Sequence, residues 1–96
     1  MAKGYWVTFY RTVSNPAALS EYAKLAGPPI QAAGGRFLSR GTAAKAYEEG
    51  VKERSVLIEF DSLDKAVAAY ESAAYQAALK VLQGAVERDV RILEGV

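Results

Sequence analysis

Apolar positions repeat with two different periods along this chain, and the switches between them mark out its elements. Gly4 to Arg11 (GYWVTFYR) is dense in aromatic and β-branched residues, the composition of a strand. Alternation puts Tyr5, Val7 and Phe9 on one face and Trp6, Thr8 and Tyr10 on the other. Both faces are bulky, so this strand needs cover on both sides. From Leu19 the spacing changes to three and four, and Leu19, Tyr22, Ala26, Ile30 and Ala33 make one helical stripe. Asn15 is the expected N-cap, with Pro16 at the first helical position and Gly34-Gly35 at the end. Pro28 and Pro29 each lack an N–H and clash with the carbonyl four residues back, which predicts a kink or break.

Arg36 to Arg40 (RFLSR) reads as a short strand in which Phe37 and Ser39 oppose Arg36, Leu38 and Arg40. Two arginines flanking a leucine on one face suit a sheet edge or a polar cavity better than a core. Residues 41–52 have no clear period and read as a hairpin-like excursion with a turn at Glu49-Gly50. The densest apolar run follows. Ser55 to Phe60 is a central strand with Val56, Ile58 and Phe60 on one face and Ser55, Leu57 and Glu59 on the other. A helix over Ser62–Glu71 presents Leu63, Ala66, Val67 and Tyr70, and a second, capped by Ser72, presents Tyr75, Ala78, Leu79 and Leu82. Gly84 weakens the end of that helix. Asp89 to Glu94 is a last strand, Val90 and Ile92 opposed to Arg91 and Leu93.

The order β–α–β–β–α(α)–β predicts an α+β fold, the ferredoxin-like split βαβ arrangement, an antiparallel sheet with helices on one face. Helices can cover only one side. The other is expected to carry Trp6, Tyr10, Leu38, Leu57 and Leu93, and an apolar face of that size marks an interface. A symmetric homodimer, sheet on sheet, is the simplest solution.

Composition narrows the function more by exclusion than by indication. The 96 residues make one domain, 1–96, small enough for dimerisation to be a natural supplement to its core. A formal charge of +1 gives no electrostatic case for a nucleic acid or an anionic membrane as partner. No cysteine and no histidine occur, which removes disulfides, thiolate nucleophiles, the usual zinc and haem ligands and the commonest general base. Neither a metal nor another cofactor is therefore expected. No run approaches the roughly 18 apolar residues of a membrane span. The start MAKGYWVTFYR lacks the pattern of a secretory signal, so a cytoplasmic location is expected.

The blocks themselves resemble a known family. They are Tyr5-Trp6, Gly34-Gly35-Arg36-Phe37-Leu38 with Arg40-Gly41, the Glu49-Gly50 turn, Arg54-x-Val56-x-Ile58-Glu59-Phe60, Tyr70-x-Ser72-x-x-Tyr75-Gln76, and Glu94-Gly95. Together they resemble the domain-of-unknown-function 1330 family of the dimeric α/β-barrel superfamily over essentially the whole chain. The resemblance implies a ferredoxin-like subunit whose sheet pairs with a second to form a barrel-like dimer. It implies no settled activity, since the superfamily holds cofactor-free monooxygenases, lactone isomerases, haem enzymes and small stress-related proteins. The chain departs from the family pattern at Ala69, where tryptophan is common, at Ala73-Ala74 in place of Pro-Glu, at Thr42 in place of a second glycine, and at Gln83, where arginine is usual.

The candidate pocket residues are Arg40, Glu59, Trp6, Tyr10, Tyr70 and Tyr75. Alternation projects Arg40 and Glu59 from the same sheet face. There Arg40 could bind a carboxylate or enolate and Glu59 could take a proton, or the two could be a structural ion pair that fixes register. The aromatics would line a pocket for a planar compound, or pack as ordinary core. Two functions stand: a dimer binding a small hydrophobic, carbonyl or phenolic compound between sheet and helices, with or without superfamily-like monooxygenase or isomerase chemistry, and a non-enzymatic interaction dimer. No catalytic residue is assigned.

Overall fold

The computed structural model describes residues 2–96. Its elements are β1 (Gly4–Val13), α1 (Pro16–Ala32), β2 (Arg36–Thr42), β3 (Arg54–Phe60), α2 (Leu63–Glu71), α3 (Ala73–Leu79), a 3-10 turn at Lys80–Leu82, and β4 (Val86–Glu94). The strands lie in the order β2-β3-β1-β4, every neighbouring pair antiparallel. This is the ferredoxin-like arrangement expected from the periodicities.

The helix starts follow from their caps. Asn15 accepts from the Ala18 N–H at 3.1 Å, Ser62 from Lys65 at 3.2 Å and Ser72 from Tyr75 at 3.2 Å. Gly34, at φ +92°, turns the chain out of α1, and the Gly35 N–H closes the end on the Ile30 carbonyl at 2.9 Å. Of the kink or break expected at Pro28 and Pro29, the break does not occur, and α1 runs on through both. The prolines deprive only the Lys24 and Leu25 carbonyls of helical donors, and both residues are exposed, so water can serve them. In α2 the buried stripe is Ala66 and Ala69, while Val67, expected to face the core, is 37% exposed.

Which side of β1 faces the helices is the main correction to the sequence reading. Trp6 stands opposite Ile58 and Thr8 opposite Val56. Cross-strand partners share a face, so Trp6, Thr8 and Tyr10 lie under the helices and not on the open side. They pack with Tyr22, Ala26, Ile30, Val56, Ile58, Phe60, Ala66, Ala69, Tyr75, Ala78 and Leu82 into one core. The open side instead carries Tyr5, Val7, Phe9, Leu57, Glu59, Asp89, Arg91 and Leu93, with Phe9 48% and Leu93 52% exposed.

The protein is a slab of 37 × 32 × 16 Å, and among the described residues no element covers one of its faces. Its exposed surface is 6116 Å² for 10.3 kDa. A monomer of that mass ordinarily exposes about 5,350 Å². Beside the open face, the chain from residue 43 to 53 forms a turn at Tyr47–Gly50, closed by the Gly50 N–H on the Tyr47 carbonyl at 2.9 Å. Glu48 takes a left-handed φ of 55° there. This loop carries the exposed Tyr47 and Val51 and flanks a trough of about 400 Å³ floored by Phe9 and Ser55. Among the described residues no helix is long and apolar enough to cross a membrane.

Candidate functional site: a cavity between the first helix and the sheet

The second correction concerns the arginines of β2. The ladder pairs Arg36 with Glu59 and Phe37 with Ile58, then slips at Leu38, so that Ser39 faces Leu57 and Arg40 faces Val56. This bulge puts Arg36 on the open face and Arg40 on the helix face, where strict alternation would hold both on one side. The expected Arg40–Glu59 pair therefore does not form. Glu59 is held by Arg36, through Nη2 at 3.0 Å and Nε at 3.1 Å, and accepts from the Tyr5 hydroxyl at 3.2 Å. Arg36 also reaches Asp61 at 3.2 Å.

The open-face ion pairs set an acid limit on stability. The Arg36 hydrogen bond holds the Asp61 carboxyl below its ordinary 3.8. The Arg91 hydrogen bond does the same for Asp89, which also meets Arg11 at 3.5 Å. Because the folded values lie below the unfolded ones, this stabilisation is present above pH 3.8 and is lost as pH falls through the depressed values. Melting temperature should thus fall on acidification below that point. The Asp61→Asn/Asp89→Asn double variant should show a shallower fall in scans by circular dichroism; an identical acid slope would refute the assignment.

On the helix face lies a partly enclosed cavity of about 30 Å³. Its floor is the sheet (Trp6, Thr8, Tyr10, Val56, Ile58) and its roof is α1 (Tyr22, Ala26, Ile30). The exposed Ala23 and Arg40, with half-buried Gly27 and Phe37, form the rim. A Cβ built on Gly27 would meet nothing within 4 Å. Of the candidate residues, Trp6, Tyr10 and Arg40 line this cavity. Tyr70 and Tyr75 stand behind Trp6, with ring centroids at 5.3 and 4.8 Å, and Glu59 is on the opposite side of the sheet.

Two cationic groups of the cavity escaped the sequence reading. Arg88 stands opposite Tyr10, and its guanidinium donates to the Tyr75 hydroxyl at 2.7 Å and the Tyr22 hydroxyl at 3.3 Å, with a longer contact to Tyr10 at 3.5 Å. The Tyr22 and Tyr75 hydroxyls bond each other at 2.6 Å. Burial works against the Arg88 charge, but the surrounding phenol oxygens outweigh it, so the guanidinium stays charged. Burial likewise raises the Tyr75 hydroxyl well above its ordinary range, which keeps it neutral. Arg54 begins β3 on the same face, and its Nε is buried without a hydrogen-bond partner. A buried donor left unpaired costs about 1–3 kcal/mol. The third arginine, Arg40, sits 4.7 Å from the centre of the Phe37 ring.

Chemically the lining is rich in donors and holds no carboxylate. It can bind and polarise, and with neither carboxylate nor imidazole it presents no ordinary general base. Among the described residues no cluster of carboxylates comes together that could hold a metal ion.

The comparisons agree with this architecture. A protein of unknown function from Rhodopseudomonas palustris superposes with a TM-score of 0.74 at 18% identity, over 99% of this chain and 83% of that one. SnoaB, a cofactor-independent oxygenase from Streptomyces nogalater, gives 0.67 at 12% identity, over 97% and 92%. A putative antibiotic biosynthesis monooxygenase from Nitrosomonas europaea gives 0.60 at 16% identity, over 99% and 90%. At such identities the likeness shows the fold and not the chemistry. Comparison with curated proteins finds no match. The family model "Domain of unknown function (DUF1330)" matches residues 3–96, and the chain belongs to that family.

Proposed function

We propose that this protein is a cytoplasmic homodimer of a single domain, 1–96, that binds a small carbonyl or phenolic compound in the cavity between α1 and the sheet. The observation that carries the reading is the cavity's lining. An apolar floor with a few convergent donors, one of them buried and unpaired, is the make-up of a ligand site. Trp6, Tyr10 and Arg40 contact the ligand, while Tyr70 and Tyr75 back the Trp6 ring and Glu59 serves the dimer face. Catalytic turnover is not part of the reading, because the lining offers no base to start it.

The dimer forms through the open sheet face. Its surface excess over a monomer of this mass, about 750 Å², is close to the roughly 800 Å² that each partner contributes to a standard interface. Acidic and basic groups are mixed at both ends of the face, Arg36 with Glu59 and Asp89 with Arg91, so a two-fold axis can match them to their own copies. A second reading, a non-enzymatic dimer with a merely packed interior, draws on the small volume of the cavity.

A cavity-blocking variant separates the two. Gly27→Leu adds a side chain where a Cβ meets nothing within 4 Å and the backbone φ is not left-handed, so the variant should fold. In a thermal-shift series with phenol, benzaldehyde and benzoate, wild type should be stabilised by at least one of them and Gly27→Leu by none. Equal shifts in both proteins, or none in wild type, would favour the packed dimer.

A further inference from the structure

We propose that the ligand of this cavity is a small carboxylate, inserted head first toward Arg54, with its unsaturated or aromatic body left at the rim. The inference rests on the reading of the cavity as a binding site and adds the charge and orientation of what binds. Three arginines, Arg40, Arg54 and Arg88, line one small space, and among the described residues no carboxylate lies within ion-pair distance of any of them. The chain does pair its other arginines: Arg11, Arg36 and Arg91 all meet an aspartate or glutamate on the open face. The helix face alone concentrates positive charge without an internal counterion.

The three cations are differently engaged. Arg88 spends its donors on Tyr75 and Tyr22 and lies 5.3 Å from the Tyr22 ring centre, so it contributes field more than contact. Arg40 is at the rim, stacked on Phe37 and exposed. Arg54 is the one with a buried donor unused. A planar two-oxygen head group fits a guanidinium edge and satisfies that donor. Size sets the orientation, since about 30 Å³ takes a head group and not a ring. The body must lie where the wall carries least bulk, which is at Ala23 and Gly27 of α1, facing Phe37. A tetrahedral phosphate would bring more oxygens than the apolar floor of Trp6, Val56 and Ile58 can satisfy.

The test uses benzoate, its neutral isostere benzamide, phenol and inorganic phosphate, titrated into the full chain and followed by NMR of the arginine Nε–H signals. Benzoate should shift the Arg54 signal and bind at least about 10-fold tighter than benzamide, as a charge-assisted bond does over a neutral one. Phosphate should leave the signal in place. Arg54→Met, which keeps the length of the side chain, should lose at least about 10-fold in benzoate affinity, and Arg54→Lys should fall between. If benzamide and phenol bind as well as benzoate, and Arg54→Met behaves as wild type, the cavity remains a binding site and the carboxylate assignment is overturned. A phosphate shift at Arg54 equal to that of benzoate would overturn the planar head group. If none of the probes perturbs a lining residue, both this assignment and the binding-site reading fail.

Discussion

Trp6→Ala should lower the stability of the protein by about 3–5 kcal/mol, the range for truncating a large buried aromatic. Trp6 is 1% exposed and sits at the centre of the aromatic cluster. Its ring lies 6.5 Å from Phe60 in a stacked arrangement and 4.8 Å from Tyr75 edge-on. Its Nε1 donates to the Thr8 hydroxyl at 2.9 Å, and Thr8 is itself 2% exposed, so the variant also leaves a buried hydroxyl without its donor. A domain of this size has only about 5–14 kcal/mol in total. The melting temperature should drop by at least about 12 °C. Trp6→Phe, which retains most of the ring packing, should fall well short of that. A loss under about 4 °C for Trp6→Ala would mean that the cluster does not carry the core.

Leu57→Arg should convert the proposed dimer to a monomer. Leu57 is half-buried on β3, a strand internal to the sheet, between Val7 of β1 and Ser39 of β2 on the open face. In an isolated subunit an arginine there extends into water and costs little. At a two-fold sheet-on-sheet contact the same change buries two like charges, which costs several kcal/mol. More than about 3 kcal/mol is over 100-fold in dissociation constant, so light scattering should report the dimer mass for wild type and the monomer mass for the variant. A variant that stays dimeric would place the contact elsewhere, and a monomeric wild type would remove the dimer altogether.

Much of the fold was legible because its signals are local. Asn15-Pro16, Ser62 and Ser72 announce helix starts through side chains that reach only three residues ahead, and each cap is found. The stripe Tyr22, Ala26, Ile30 needs only the helical period, and all three are buried. The sidedness of β1 is different in kind. Alternation separates Trp6/Thr8/Tyr10 from Tyr5/Val7/Phe9 correctly, but both sets are bulky, and only the pairing with Ile58 and Val56 decides which meets the helices. The prolines of α1 do not break it because their penalty depends on whether the freed carbonyls are dry, and here they belong to exposed residues.

The candidate site was legible in part for related reasons. Trp6, Tyr10 and Arg40 reach the cavity, although Arg40 arrives there through a bulge that no alternation rule contains. Arg88 lies outside the last strand that the sequence predicts from Asp89, whereas β4 starts at Val86. Continuing the Ile92, Val90 alternation backwards by one step puts Arg88 on the core face, and that is the signal that could have found it. Arg54 stood in view within a family block, but an unpaired donor is a property of surroundings and has no sequence mark.

The slip at Leu38 makes the sheet a sorting device for charge. Without it, the two arginines of β2 would project to the same side, both among the ion pairs of the open face, and the cavity would hold two cations in place of three. With it, one residue of extra backbone sends Arg36 to one face and Arg40 to the other. Deleting Leu38 would only make the ladder regular and leave Arg40 opposite Val56, whereas a regular ladder that kept Leu38 would carry Arg40 to the open face with no charged residue changed. Chains of this shape can therefore exchange the polarity of their interior for that of their surface by register alone, and where the ladder slips between two arginines decides which face each one charges.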